Sequence, residues 1–406
     1  MNRRLFRSRQ PYPTRGPHAF RWLVDGGAFF PAMLQAIGRA RHRVLLEMYL
    51  AESGPLFSRF AEALSDAARR GVQVHLLLDG FGGLGVSDAD RERLLEAGVH
   101  LGTFNPLGWE RLRLSLFRDH RKLLAVDGQV AFVGGAGLTD AFDPRVTGTD
   151  AWHDVMLEIR GPCVQDWEAL FADAWQRWHH QDMPGLGDLS CEGTQPSDPR
   201  DGRVVGHTDV GGQAVMRSVI ATMKRSRRRI WLTTGYFVPT RRLRRILTKA
   251  ARRGMDVRLL LPGPKTDHPG VWHAGRRFYG RLLRSGVRIF EFQPRCLHAK
   301  YVICDDWLTV GSSNLDHWTL RWNMEANQEV TDPTLVGQVA DSFSRDLLQS
   351  QEWTLERWQA RGLWARLMER LFGALDGWLV ELGYLRDLRD ADRALLRNRR
   401  PSPPAP

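Results

Sequence analysis

HRKLLAVD, from His120 to Asp127, and HAKYVICD, from His298 to Asp305, share one spacing: His-x-Lys-x-x-x-x-Asp. Three fixed residue types, each at about 5% frequency, give one such string in about one chain in twenty of this length, and two in roughly one in a thousand. Each copy runs into aliphatic or β-branched residues: Leu123, Leu124, Ala125 and Val126 in one, Tyr301, Val302 and Ile303 in the other. That pattern predicts an extended, half-buried strand. Side chains two apart share a strand face, so His120 projects with Lys122 and His298 with Lys300. The aspartates lie at an odd offset from the histidines. Asp127-Gly128 and Asp305-Asp306 have the chemistry of two-residue hairpin turns, so Asp127 and Asp305 are read as structural. With two-residue loops, His120 falls opposite Gly135 and His298 opposite Ser313, and a bulge would move this pairing by one residue. Gly134 and Gly135, and Ser312, Ser313 and Asn314, are then expected to line the histidines and contact a phosphate through backbone N–H, hydroxyl and amide groups.

Longer stretches recur as well. AARRGVQVHLLLDG (Ala67 to Gly80) returns as AARRGMDVRLLLPG (Ala250 to Gly263), and LLEAGVHLGTFNP (Leu94 to Pro106) as LLRSGVRIFEFQP (Leu282 to Pro294). The histidine motif follows each in the same order, so the repeat is of domain size rather than a solenoid unit. Amphipathic stretches alternate with apolar runs, which predicts an α/β fold with helices on a mostly parallel sheet. The Gly, Pro, Asp and Ser-rich segment 181–203 reads as a linker. The expected organisation is a basic segment at 1–17, a first α/β/α domain at 18–180, the linker, a second domain at 204–350, and a helical tail at 351–406 with a disordered end. Such a symmetric pair can present both motifs to one phosphate at their pseudo-twofold interface.

The chain of 406 residues has a formal net charge of +12, which suits a polyanion or an anionic membrane surface. Four scattered cysteines, Cys163, Cys191, Cys296 and Cys304, form no CxxC and are read as free thiols. No signal peptide and no membrane-spanning stretch is expected. In GLWARLMERLFGALDGWLVELGY, Gly362 to Tyr384, the residues Leu363, Trp364, Leu367, Met368, Leu371, Phe372, Leu375, Trp378, Leu379 and Leu382 follow helical spacing on one face. Arg361, Arg366, Glu369, Arg370, Asp376 and Glu381 lie mainly on the other, the pattern of an interfacial membrane helix or of a helix packed on protein. Trp167, Trp175 and Trp178 at helical spacing read as packing, and His179-His180 as a helix-end surface without a third metal ligand.

Two such motifs in duplicated α/β halves resemble the phospholipase D superfamily, and within it the bacterial cardiolipin synthases lacking N-terminal transmembrane helices. AIGRARHRVLLEMYL with Glu47 and Tyr49, TTGYFVP (Thr233 to Pro239), AWHDVMLEIRGP (Ala151 to Pro162) and GSSNLDHWTLRWNMEAN (Gly311 to Asn327) extend the resemblance over nearly the whole chain. The resemblance implies an acidic residue after each motif that holds its histidine, here Asp154 for His120 and Glu325 for His298. Where such proteins carry Asn two residues after GlyGly, this chain has Gly137, so phosphate contact on the first side is expected to differ from that of Asn314. Asp267-His268 resembles a family loop near the substrate, although Asp-His in a Gly/Pro loop reads by itself as a turn.

The chemistry expected is a two-step exchange. One neutral histidine attacks phosphorus to form a phosphohistidine, and the other protonates the departing alkoxide and then deprotonates the incoming hydroxyl. Histidine suits both tasks because its ordinary pKa of about 6.5 makes both forms available near neutrality. By family analogy His120 is the nucleophile and His298 the acid/base. Lys122 and Lys300 supply the positive charge that a metal would otherwise give, so no metal or other cofactor is expected. The implied activity is a phosphatidyltransferase joining two phosphatidylglycerols into cardiolipin and glycerol, peripheral on the cytoplasmic face of a bacterial membrane. The alternatives are a phospholipase D-type phosphodiesterase acting on phospholipid, nucleic-acid cleavage, and a non-catalytic membrane-binding descendant. Nucleic acid is disfavoured because the small nucleases of the superfamily carry one motif per chain. Oligomeric state and acceptor alcohol are left open.

Overall fold

The computed structural model describes residues 12–106, 117–179, 183, 201–206, 213–316, 323–364, 366–369, 371, 372 and 374. The first half builds a sheet from β1 (Ala19–Val24), β2 (Arg43–Met48), β3 (Gln73–Asp79), β4 (His100–Phe104), β6 (Lys122–Val126), β7 (Val130–Gly134) and β8 (Val155–Arg160), in the order β1-β8-β7-β6-β2-β3-β4. The second sheet uses β9 (Asp201–Gly206), β10 (Arg229–Thr233), β11 (Asp256–Pro262), β12 (Arg288–Phe292), β13 (Tyr301–Cys304), β14 (Trp307–Gly311), β16 (Ala326–Thr331) and β17 (Ser350–Trp353), in the order β17-β12-β11-β10-β13-β14-β16-β9. The orders superimpose strand for strand, with β17 an added edge. β5 (Arg118–Asp119) and β15 (Asn323–Met324) form a two-stranded parallel pair between the halves.

The sheets are mixed rather than mostly parallel. β2, β3 and β4 run parallel, as do β10, β11 and β12, because a helix crosses over between each pair. The motif strands instead return through tight hairpins and add antiparallel strands on the other side.

Strand periodicity sorts the core. Leu123, Ala125, Tyr301 and Ile303 enter one cluster between the sheets, which also takes the helices Cys163–His179 and Pro333–Leu348. Leu124 and Val126 pack outward under the first pair of helices, and Val302 and Cys304 under the second. One central core therefore spans both halves. Trp167 and Trp175 are buried in it and Trp178 packs at its margin, which is the packing role read from their spacing.

Several boundaries differ from those read in the sequence. Residues 201–203 already pair with β16, so the second sheet begins before the expected end of the linker; the rest of that segment lies outside the described residues except 183. Residues 351–353 belong to β17 and the helix Leu355–Gln359 packs Trp358 against Tyr279, so the start of the expected tail is part of the second domain. In the tail helix, Glu369 of the expected polar face docks together with Phe372 of the expected apolar face, which stacks on His273. Glu369 is buried and pairs with Arg361 and Arg276, while Leu363, Trp364, Leu367 and Leu371 are exposed. Charged partners already waiting on the second domain decide this orientation, which hydrophobicity alone would reverse. Leu375, Trp378, Leu379 and Leu382 lie outside the described residues. No helix among the described residues is long and apolar enough to cross a membrane.

Candidate active site

The second motif folds as its turn chemistry predicts: Cys304 pairs with Trp307 across a two-residue loop, which sets His298 opposite Ser313. In the first, Val126 pairs with Val130, so Gln129 joins the loop and His120 comes opposite Ala136 rather than Gly135. Asp127 and Asp305 hold φ of 54° and 52°. Asp127 accepts from the N–H groups of Arg41, His42 and Arg43, each at 2.8 Å. Asp305 does the same for Arg227, Arg228 and Arg229 at 2.9–3.0 Å. Both carboxylates thus tie a turn to the loop before the neighbouring strand, on the far side from the histidines.

The carboxylates behind the histidines are exchanged between the halves. The family resemblance implies Asp154 for His120 and Glu325 for His298. In the structure His298 Nδ1 lies 2.7 Å from Asp154 Oδ2, and His120 Nδ1 lies 2.9 Å from Glu325 Oε1. The first contact is a hydrogen bond; the second is an ion-pair distance whose angle falls short of one. The physical reason is the pairing between the halves. β5, just before His120, runs alongside β15, just before Glu325, and His120 N–H donates to Met324 O at 3.0 Å. Likewise Leu297 bridges to His153, and His298 N–H donates to His153 O at 2.8 Å. Each histidine is therefore delivered to the carboxylate of the other half.

All six groups are buried: His120, Lys122, Asp154, His298, Lys300 and Glu325 are each at most 7% exposed, so their charges act on one another through little water. Lys122 Nζ donates to His120 O at 2.7 Å, and Lys300 Nζ donates to His298 O. Burial pushes Lys122 down to about 7, with Glu325 opposing and Lys300 assisting, and burial likewise lowers Lys300. Burial and then Lys300 hold His298 at about 4, and burial with Lys122 and Lys300 holds His120 well below its usual range. Burial also drives Glu325 up to about 8 against the pull of Lys122. Asp154 is the exception: burial alone would raise it, but Lys300 and the His298 hydrogen bond outweigh that and keep it below the usual carboxylate range. Both lysines act on both histidines, so the two motifs form one electrostatic unit.

The glycines and hydroxyls of the return strands serve the carboxylates more than a phosphate. A Cβ on Gly135 would lie 2.6 Å from both Asp154 oxygens, and one on Gly134 2.2 Å from Val155 O. Only glycine lets β8 bring Asp154 that close. Ser312 Oγ bonds Glu325 Oε2 and accepts from Ala326 N–H at 3.1 Å. Ser313 N–H donates to Asn327 Oδ1 at 3.3 Å. Asn314 differs. Its Oδ1 accepts from Thr234 Oγ1 at 3.2 Å, and its buried Nδ2 donor has no partner among the described residues.

Other residues reach the site. Tyr49 lies 4.7 Å from the His120 ring, and Lys122 Nζ sits 5.0 Å from the Tyr49 ring centroid. Tyr236 faces His298 edge-on at 6.3 Å and donates its hydroxyl to Asp267, whose charge in turn supports Lys300. Asp267 thus belongs to the site's surroundings rather than to a remote turn, while His268 stays exposed beside Tyr236. Thr234 and Tyr236 could have been found by aligning β2 with β10, since TGYFVP follows β10 as YLAES follows β2. Behind His120, Arg121 is buried with Glu47 and Asp119, which braces the motif and leaves Glu47 outside the reacting groups. His179 leans on Trp175 at a ring separation of 4.6 Å, and among the described residues no cluster of metal-ligating side chains occurs.

Residues 33–175 and 219–347 match the family "Cardiolipin synthase, PLD-like domain". The chain is 31% identical over 363 residues to cardiolipin synthase 2 of Bacillus anthracis, covering 87% of this chain and 70% of that one. It is 32% identical to cardiolipin synthase A of Pseudomonas aeruginosa (85% and 70% covered) and 31% identical to cardiolipin synthase B of Salmonella typhi (88% and 89% covered). In architecture it resembles the phosphatidylserine synthase of Haemophilus influenzae Rd KW20, with a TM-score of 0.69 at 13% identity over 90% of this chain and 93% of that one. With both copies of the domain present and its relatives matched over most of their length, the chain belongs to the cardiolipin synthase, phospholipase D-like family.

Proposed function

We propose that the chain is a phosphatidyltransferase that joins two phosphatidylglycerols into cardiolipin and releases glycerol. The observation that carries this reading is the exchange of carboxylates across the halves. It makes one buried site from two histidines and two lysines, the groups a metal-free phosphodiester exchange needs. His120, with no aligned carboxylate bond, is the nucleophile: its nitrogen forms the P–N bond as the P–O bond to glycerol breaks. His298, hydrogen-bonded to an ionised Asp154, is the group best able to hold a proton when an anionic substrate enters. It delivers that proton to the glycerol alkoxide. It then takes the proton of the second phosphatidylglycerol's hydroxyl, whose oxygen attacks phosphorus and breaks the P–N bond. Lys122 and Lys300 stabilise the charge gathering on the phosphate oxygens, and Asn314 Nδ2 adds a donor.

Peripheral attachment to an anionic bilayer is part of the same reading. Its support is the exposed row Leu363, Trp364, Leu367 and Leu371, docked through Phe372 on the helix Pro269–Arg276 that follows Asp267. The helix Arg241–Arg252, which carries no acidic residue, adds positive charge. The test is conversion of labelled phosphatidylglycerol in mixed micelles. Cardiolipin and glycerol are expected; phosphatidic acid without cardiolipin would make the chain a hydrolase, and full turnover by His120→Ala or His298→Ala would refute the shared site.

A further inference from the structure

The two halves differ at one pair of positions that changes together. Continuing the ladders, Met48 and Thr234 both stand opposite the motif lysine, so Tyr49 corresponds to Gly235. In the return strands Gly134 and Gly311 likewise correspond, so Gly137 corresponds to Asn314. The second half thus carries a glycine just past the central strand and an amide just past the return strand. The first half carries a phenol just past the central strand and a glycine just past the return strand.

The packing explains the exchange. A Cβ on Gly235 would lie 3.4 Å from Lys300 Nζ and 3.5 Å from Asn314 Oδ1, so the absent side chain leaves the amide its place beside the lysine. In the first half a Cβ on Gly137 would meet Leu50 O at 2.6 Å, which denies that position any side chain. The Tyr49 ring fills the corresponding volume instead, against His120 and Lys122 on one side and Gly82 on the other, where a Cβ would approach Tyr49 Cδ2 to 3.1 Å. Tyr49 is half-buried beside His120, and the charges that act on its hydroxyl are those of Asp79, Arg118 and Glu325. Burial and the nearby Asp79 push the phenol up to about 12, so it stays a donor at neutral pH.

We propose that Tyr49 is a catalytic residue whose hydroxyl donates to a non-bridging phosphate oxygen on the His120 side, the contact that Asn314 Nδ2 makes on the His298 side. This inference rests on the phosphoryl-transfer reading of the site, but not on which lipid is the substrate. A phenol and an amide at these places make the two sides of the phosphate chemically unequal although the motifs are alike.

Tyr49→Phe removes the donor and keeps the ring against His120, so a packing role would be untouched. Two measurements on the full chain decide. Binding of inorganic phosphate, followed by calorimetry, is expected to weaken about tenfold or more, the worth of one hydrogen bond to a charged group; unchanged affinity overturns the proposal. Turnover of phosphatidylglycerol is expected to fall about a hundredfold in kcat/KM, the loss of one donor to the phosphate oxygens; kcat/KM within about twofold of the parent overturns it. Asn314→Ala should match Tyr49→Phe in both measurements, and the melting temperature of each variant separates loss of a donor from loss of fold. A parent that leaves phosphatidylglycerol unconverted would refute the proposed substrate, and the phosphate-binding comparison would still decide the role of Tyr49.

Discussion

Asp154→Asn tests the exchanged carboxylates, because the two possible pairings predict opposite victims. Asp154 Oδ2 lies 2.7 Å from His298 Nδ1, fully buried and ionised, so it holds the imidazole in the tautomer that leaves the other nitrogen toward the substrate. An amide supports either tautomer and carries no charge. The lost charged hydrogen bond is worth about 1.5–3 kcal/mol. With the misplaced tautomer, the expected drop in kcat is about 10³–10⁴, or about 4–5.5 kcal/mol. The histidine-specific assay is ¹⁵N NMR of the imidazoles alongside turnover. His298 should change its Nδ1 signal and titrate below the parent's value of about 4, because its one raising partner is gone. His120, beside Glu325, should keep its signals. A variant in which His120 changes and His298 does not would restore the pairing within each half and refute the exchange. Glu325→Gln is the mirror experiment and should move His120 alone.

His153 lies between Asp25 and Asp346 at 2.8 and 3.2 Å, and these bonds outweigh its burial to raise it from 6.5 to about 9. The raised pKa means its stabilisation is complete below about 6.5 and is lost as pH climbs through about 9, a change of about 3 kcal/mol; urea midpoints of the parent should fall over that window and those of His153→Gln should not. Gly135→Ala places a methyl 2.6 Å from the Asp154 oxygens and should abolish turnover at a stability cost of about 1–3 kcal/mol, read by melting and activity together. Leu363→Glu with Leu367→Glu should release the protein from vesicles rich in phosphatidylglycerol in a sedimentation assay while leaving turnover in micelles near the parent's; unchanged vesicle binding would dismiss the tail helix as an anchor.

The sequence by itself determined what depends on neighbours along the chain. The doubled motif placed His120 with Lys122 and His298 with Lys300, since a strand's period of two needs no partner to act. The duplicated stretches fixed two equivalent α/β halves, and the turn chemistry of Asp127 and Asp305 put both where a hairpin reverses. Tertiary structure decided what depends on groups far apart in sequence. The partners of the two histidines follow from β5 meeting β15 and Leu297 meeting His153, contacts that no periodicity encodes. The tail helix turned Glu369 inward because Arg276, far upstream, holds it. Tyr49 and Gly137 gained a joint meaning only when the ladders set them against Gly235 and Asn314. Local patterns specify elements and faces through backbone geometry. The chemistry of this site instead arises where two faces meet, and that meeting is set by packing across the pseudo-twofold axis.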